Sequence, residues 1–338
     1  MSTKTVLSLV NFTEEQLAKL QAVSAELEVQ QRSDLPLPDL PDELRQQVEI
    51  LYGWGRHFEG AEHLPNLKWI QAHSAGVDYL LDTPLWHSNV ILTSLNGVHV
   101  VSMAEHALAM ILAFRWRLRL MLDFQRRAEW PQGRWDYFAR PELRGSTLGL
   151  IGYGAISREL ARQAQALGMR ILAVNRSGRR SPYRGYSLPG TGDPLAQIPD
   201  RIFPADQLLD LLPECDYVVV LAPLTPDTYH LLGAEALARM KPTAYFFNLA
   251  RGGLVDQLAL IEALPRGQIA GAGLDVFATE PLPADSPLWQ FENVIISPHV
   301  AGFTPHYDDR ASDLFAENLR RYLAGEPLVN LVERERGY

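Results

Sequence analysis

The sequence predicts an α/β protein of two domains, each built around a parallel sheet. Three observations carry that expectation. With 338 residues and 47% hydrophobic content, the chain exceeds the size at which one core stops growing and domains divide. Short apolar runs alternate with helix-like stretches along most of its length, the pattern that builds parallel sheets covered by helices. The stretch "TLGLIGYGAISRELARQAQALG" reads as a buried strand, a glycine turn and a helix.

The elements follow in order. From Val6 to about Asn96 the runs "VLSLV", "EILYGW", "LKWIQAHSAG" and "VILTSLNG" read as strands, and "TEEQLAKLQAVSAEL" as a helix with Thr13 as N-cap. From Val100 to about Leu120, "VVSMAEHALAMILAFRWRLRL" reads as one long helix. Its apolar positions are too dense for a surface helix and suggest burial at a domain or subunit boundary. An irregular stretch, "WPQGRWDYFARPELRG", precedes a second α/β run. That run starts at "STLGLIGYGAIS" and continues through strands at 170 to 174, 217 to 221, 244 to 249, 269 to 276 and 293 to 297. Residues 178 to about 204, rich in Pro and Gly and without either period, read as a long loop, and such loops are more often functional than idle. The last helix, "DDRASDLFAENLRRYLAG", stops at Gly325 with Pro327 just beyond.

Composition removes several function classes. A net charge of -9 argues against a general nucleic-acid or anionic-membrane binder. The single cysteine, Cys215, rules out an internal disulfide and a Cys-rich zinc site, which suits the cytoplasm, and it reads as a plain structural thiol. The nine histidines include no metal-ligand spacing, so no metal is expected. The longest apolar stretch, "HALAMILAF", falls far short of the roughly 20 residues that span a bilayer. No export signal is visible at the N-terminus, and the protein is expected to be soluble.

The glycine turn is a candidate phosphate cradle. Gly152 and Gly154 allow close approach of a pyrophosphate to the N-H groups that open the following helix. Ser157 stands where the fingerprint has a third Gly or Ala. In an NAD site the second strand ends in an acid that accepts from the adenine ribose. Here it ends in Asn175-Arg176-Ser177. An acid would repel a 2′-phosphate, whereas Arg176 can pair with one and Ser177 can donate to it, with Arg179 or Arg180 adding charge. NADP is therefore the expected cofactor, with NAD possible; a solvated basic loop is the alternative.

Strands of a parallel sheet deliver their C-terminal ends to one edge, where ligands of open α/β folds bind. "AYFFNLARGG" puts Arg251 just past one strand. "AGAGLDVFATEPLP" puts Asp275 at the end of the next, with Glu280 in the loop, and "NVIISPHVAG" puts His299 past a third. Convergence of these groups beside a nicotinamide suits hydride transfer at a 2-oxo or 2-hydroxy acid. Arg251 would fork onto the carboxylate, His299 would act as acid and base, and Glu280 would hold the His tautomer. Singly, each has a plainer reading: surface groups for Arg251 and Glu280, a turn histidine for His299.

With these motifs the chain resembles the D-isomer-specific 2-hydroxyacid dehydrogenases, the family that includes glyoxylate and hydroxypyruvate reductases. "AHSAGVDYL", "MAEHALAMILA", "LRGSTLGLIGYGAI", "LAPLTPDTYHLL", "MKPTAYFFNLARGGLVD", "GAGLDVFATEPLP" and "SPHVAG" occur in the family's order. The resemblance implies two Rossmann-like domains with doubly wound parallel sheets. A nucleotide domain, 99–300, would be inserted into a flavodoxin-like substrate domain formed by 1–98 and 301–338. It implies Arg251, Glu280 and His299 as the catalytic set, and backbone N-H groups of Ala75, Gly76 and Val77 on the substrate carboxylate. Cofactor contacts would come from Ala155, Ile156, Ala222, Pro223, Thr228 and Ala250, with Asp275 toward the carboxamide. A homodimer is implied, the helix near 101 to 120 lying at its contact. Trp54, Met103 and Trp135 are candidates for substrate selection, with packing as the equal alternative for the two tryptophans. Ser157, Asn175-Arg176 and the long 178–204 loop depart from the family pattern. A dinucleotide-sensing corepressor of the same fold and a phosphite oxidiser are the competing readings.

Overall fold

The computed structural model describes residues 3–337. The chain divides into two compact units. Unit 1 comprises Met1–Val98, Arg184–Leu188 and Thr304–Tyr338, and unit 2 comprises His99–Tyr183 and Pro189–Phe303.

Unit 1 is a five-stranded parallel sheet of β1 (Lys4–Ser8), β2 (Leu27–Gln31), β3 (Val48–Gly53), β4 (Trp69–Ala72) and β5 (Ile91–Thr93), in the order β2-β1-β3-β4-β5. That order is the flavodoxin-like one. The Glu14–Gln21 helix opens on a capping box between Thr13 and Gln16, which satisfies two N-H groups the first turn would otherwise leave without partners. On one face of the sheet, Phe315 and Leu319 of the Tyr307–Ala324 helix pack against Val6, Tyr52 and Trp69. That helix ends at Gly325, whose φ of 69° is easy only for glycine.

Unit 2 holds seven parallel strands: β6 (Thr147–Ile151), β7 (Arg170–Asn175), β8 (Arg201–Pro204), β9 (Tyr217–Val220), β10 (Tyr245–Asn248), β11 (Gly271–Leu274) and β12 (Val294–Ile296). Their order is β12-β11-β10-β9-β6-β7-β8. From β6 the chain winds out to β8, then returns to β9 on the other side of β6 and winds away. The switch point therefore lies between β6 and β9, where ligands of doubly wound sheets bind. Every residue of β6 and of β9 is buried, as expected for strands covered on both faces.

Two sequence expectations change. The long helix is two helices, Val100–Arg115 and Leu118–Arg126, broken at Arg117, which adopts a left-handed conformation with φ 51°. Within unit 2 the dense apolar character of the first helix has a local cause. Met103, Ala107, Met110 and Ile111 share a core with Leu148, Val219 and Phe247 of the sheet. The second change concerns the long loop, whose last residues form the edge strand β8 paired to β7. A strand of four residues containing Pro204 shows too little alternation to be seen in sequence. Cys215 is fully buried, and burial pushes its thiol up to about 12.

Candidate active site

The cradle is built at the switch point. Gly152 has φ +90°, and a Cβ there would lie 2.8 Å from the Ala222 backbone, so only glycine lets the turn pack this closely on the chain after β9. Gly154 differs: a Cβ on it would meet nothing within 4 Å. The Ala155–Ala166 helix starts there with no side chain capping its N-H groups. Open space above uncapped N-H donors fits a pyrophosphate. Ser157 is fully buried, and its hydroxyl donates to the Gly152 carbonyl at 2.5 Å. The serine thus ties the glycine turn to the helix instead of crowding it.

At the end of β7, Asn175 organises the turn. Its Oδ1 accepts from the N-H groups of Ser177 (3.0 Å) and Gly178 (2.8 Å), and its Nδ2 donates to the Arg179 carbonyl (2.8 Å). Arg176, Ser177 and Arg179 are exposed. Arg180 is committed elsewhere, its guanidinium donating to the carbonyls of Ala196 and Pro199, both at 2.5 Å. Of the two further arginines considered from sequence, only Arg179 is left to add charge to the turn. Across the switch point, Thr228 donates to the Pro223 carbonyl at 2.7 Å and fixes the segment that starts at Ala222.

The strand ends β10, β11 and β12 are neighbours, and each carries its residue as the sequence predicts. Asn248, at the end of β10, donates to the Arg251 carbonyl (2.9 Å) and accepts from the Ala250 N-H (3.1 Å). The next residue, Gly252, packs on the loop after β11 so closely that a Cβ would lie 1.9 Å from the Phe277 carbonyl group. That contact brings the Arg251 turn against the loop that carries Glu280. One Glu280 oxygen accepts from the Phe277 N-H at 3.0 Å; the other meets His299 Nδ1 at 2.7 Å. The His299 side chain is about half exposed, at 48%. Its Nε2 is the ring nitrogen that Glu280 does not engage.

Asp275 is 1% exposed, and its carboxylate holds the loop that follows β12. It accepts from Ser297 Oγ (2.5 Å) and from the N-H groups of Val300 (2.9 Å) and Ala301 (3.0 Å). The Asp275 carbonyl also receives the His299 N-H at 2.9 Å. These bonds fix the left-handed conformation of His299, φ 55°, which a non-glycine residue adopts only when its surroundings impose it. His106 Nε2 stands 3.0 Å from Ser297 Oγ. Neither Ser297 nor His106 was singled out from sequence; the Ser two residues before the His in "SPH" was the available signal.

Within unit 1, Ala75, Gly76 and Val77 follow β4. Ser74 Oγ donates to the Gly76 carbonyl at 2.8 Å, and the Ser74 carbonyl receives the Leu95 N-H at 2.8 Å. His73, just before this loop, lies 2.5 Å from the Tyr52 hydroxyl. Burial lowers its pKa from the ordinary histidine value, partly offset by Asp308. Trp54 is 54% exposed. Among the described residues no cluster of potential ligands could hold a metal ion, and no helix is long and apolar enough to cross a membrane.

Comparison with known proteins agrees with this fold. The family model for the NAD binding domain of D-isomer specific 2-hydroxyacid dehydrogenases matches residues 108–301. A glyoxylate reductase of Thermofilum pendens is 37% identical over 272 residues, which cover 80% of this chain and 76% of that protein. A D-isomer specific 2-hydroxyacid dehydrogenase from Xanthobacter autotrophicus, solved in complex with NADPH and MES, superposes with a TM-score of 0.80 at 31% identity over 100% of both chains. An NADPH-dependent glyoxylate/hydroxypyruvate reductase from Sinorhizobium meliloti, solved with NADP and sulfate, gives a TM-score of 0.80 at 26% identity, covering 99% of this chain and 100% of that one. Fold and cradle define a nicotinamide dinucleotide oxidoreductase. Matched by the family model over more than half its length, the chain belongs to the D-isomer specific 2-hydroxyacid dehydrogenase family.

Proposed function

We propose that the protein reduces a small 2-oxoacid, of the glyoxylate or hydroxypyruvate kind, to the D-2-hydroxyacid with NADPH. One observation carries the reading. The 2.7 Å His299–Glu280 pair stands beside the Arg251 turn, on the same sheet edge as the dinucleotide cradle. The dinucleotide, when bound, supplies the hydride to the carbonyl carbon. The side chains supply the rest. Arg251 pairs with the substrate carboxylate and reaches the carbonyl oxygen, which orients the reacting carbon. Negative charge then develops on that oxygen, and His299 Nε2 donates the proton; in oxidation the neutral ring removes it. Glu280 keeps the other proton on Nδ1 and fixes the ring plane. The resemblance assigns the N-H groups of Ala75, Gly76 and Val77 to the substrate carboxylate and Asp275 to the carboxamide.

At the far end of the cofactor, Arg176 and Ser177 recognise the 2′-phosphate. The lack of a carboxylate after β7 supports this, as do the NADP(H) ligands of the two solved relatives. A reducing compartment suits the buried thiol of Cys215, and we place the enzyme in the cytoplasm. It acts as a homodimer. The Trp116–Trp135 region exposes Leu118, Leu122, Trp130 (78%) and Trp135 (80%), and apolar surface of that density marks an association face.

A panel of 2-oxoacids run with both reduced nicotinamides tests the reading. Glyoxylate or hydroxypyruvate should be turned over, with higher kcat/KM for NADPH than for NADH. Failure to reduce any member of the panel would refute the enzyme reading, and a clear NADH preference would refute the assignment of Arg176 and Ser177.

A further inference from the structure

Arg158 and Glu159 sit on the first turns of the cradle helix, where a surface helix would expose one of them. Both are buried, at 4% and 1% exposure. The segment after β7 binds them. Arg158 donates to the carbonyls of Asp193 (2.5 Å) and Ser181 (2.9 Å), with its guanidinium 5.0 Å from the Tyr153 ring centre and 5.5 Å from that of Tyr183. Glu159 accepts from the Gly192 N-H at 2.7 Å. Asp193, 5% exposed, accepts from the N-H groups of Gln197 (2.8 Å) and Ile198 (2.9 Å) and from the Tyr153 hydroxyl (2.7 Å). Burial and the bond to Asp193 push the Tyr153 phenol well up, which keeps it a donor.

The segment is therefore no slack connection. Tyr153 lies between the two cradle glycines, so one network runs from the pyrophosphate turn through Asp193 and Arg158 to Ser181. Asn175 holds the near side of the Arg176–Arg179 turn. Arg180 and Arg158 hold its far side, at Ala196, Pro199 and Ser181. Burying an arginine and two carboxylates costs more than apolar packing of the same volume. What the network adds is a turn whose shape is set before ligand arrives, and preorganisation lowers the ordering cost of binding.

We propose that Arg158 and Asp193 are positioning residues for cofactor selection: they hold the Arg176–Arg179 turn in the shape that receives a ribose 2′-phosphate. The proposal rests on the assignment of Arg176 and Ser177 to that phosphate. Neither Arg158 nor Asp193 touches the cofactor. They act through the turn.

The test is calorimetric binding, on the full chain, of adenosine 2′,5′-bisphosphate and adenosine 5′-monophosphate, which differ only by the 2′-phosphate. Wild type should prefer the bisphosphate. Arg158→Lys keeps the charge and loses the two-carbonyl fork; Asp193→Asn keeps the volume. In both variants the bisphosphate should weaken about tenfold, on the scale of one charge-assisted hydrogen bond, with the monophosphate changed by about twofold at most. KM for NADPH should rise relative to KM for NADH, with kcat at saturation little changed. Unaltered preference in both variants overturns the proposal, and so does an equal loss of both ligands, since a merely structural role predicts that. A wild type indifferent to the 2′-phosphate refutes the underlying assignment, a failure visible before any variant is made.

Discussion

His299 shows how neighbours set the conformation of a single side chain. Its backbone is held in a left-handed conformation by bonds to Asp275, and its ring is held by Glu280. Neither restraint is local to the "SPH" stretch. Replacing His299 with Ala should lower turnover by about 100-fold or more, the usual size of general acid catalysis. Dinucleotide affinity, measured by fluorescence or calorimetry, should stay near wild type. Undiminished turnover would remove His299 from the mechanism. The placement of Arg251, Glu280 and His299 past three neighbouring strands was legible from residue types and strand pattern, because parallel topology sends such ends to one edge. The carboxylate of Asp275 was not legible as the anchor of the 297–301 loop, since its partners lie 22 or more positions away.

At the scale of the element, the strand–turn–helix of the cradle separates two glycines that look alike in sequence. Gly152 needs its positive φ and its 2.8 Å approach to Ala222; Gly154 has ordinary dihedrals and empty space above it. Gly152→Ala should therefore cost about 1–2 kcal/mol or more in folding stability. Gly154→Val should cost less stability but fill the space meant for a pyrophosphate and abolish dinucleotide binding. Denaturant melts and calorimetry on the two variants check this; a Gly154→Val protein that binds the dinucleotide normally would contradict the cradle. The helix from Val100 to Arg115 was legible from its apolar density, but its break was not. "FRWRLRL" carries no proline or glycine, and nothing in the run signals the left-handed conformation that Arg117 takes.

At the scale of the whole molecule, unit 2 interrupts unit 1 in sequence. Residues 184–188 were not expected in unit 1. They cluster there, with the Tyr186 N-H donating to Asn330 Oδ1 at 3.0 Å and its carbonyl lying where a Cβ on Gly97 would be. Assembly is the second property at this scale. Sedimentation equilibrium should give the mass of a dimer. Changing both Leu122 and Trp130 to Glu should yield a folded monomer, because two charges on a buried apolar face are not tolerated. A variant that stays dimeric would place the contact elsewhere.

The sequence by itself determined the α/β class, the cradle, the lack of an acid after β7 and the order of the three strand-end residues. These depend on local pattern: apolar runs of strand length, glycine dihedrals, and the rule that parallel strands end together. Only the tertiary structure decided which charged residues hold the fold together. Arg176 and Arg180 are four residues apart and chemically identical, yet Arg180 spends its donors on two backbone carbonyls. Arg158 and Asp193, ordinary in sequence, become buried partners 35 positions apart. A side chain's use depends on which donors and acceptors the folded chain brings within about 3 Å of it, and that distance is not written in neighbouring residues.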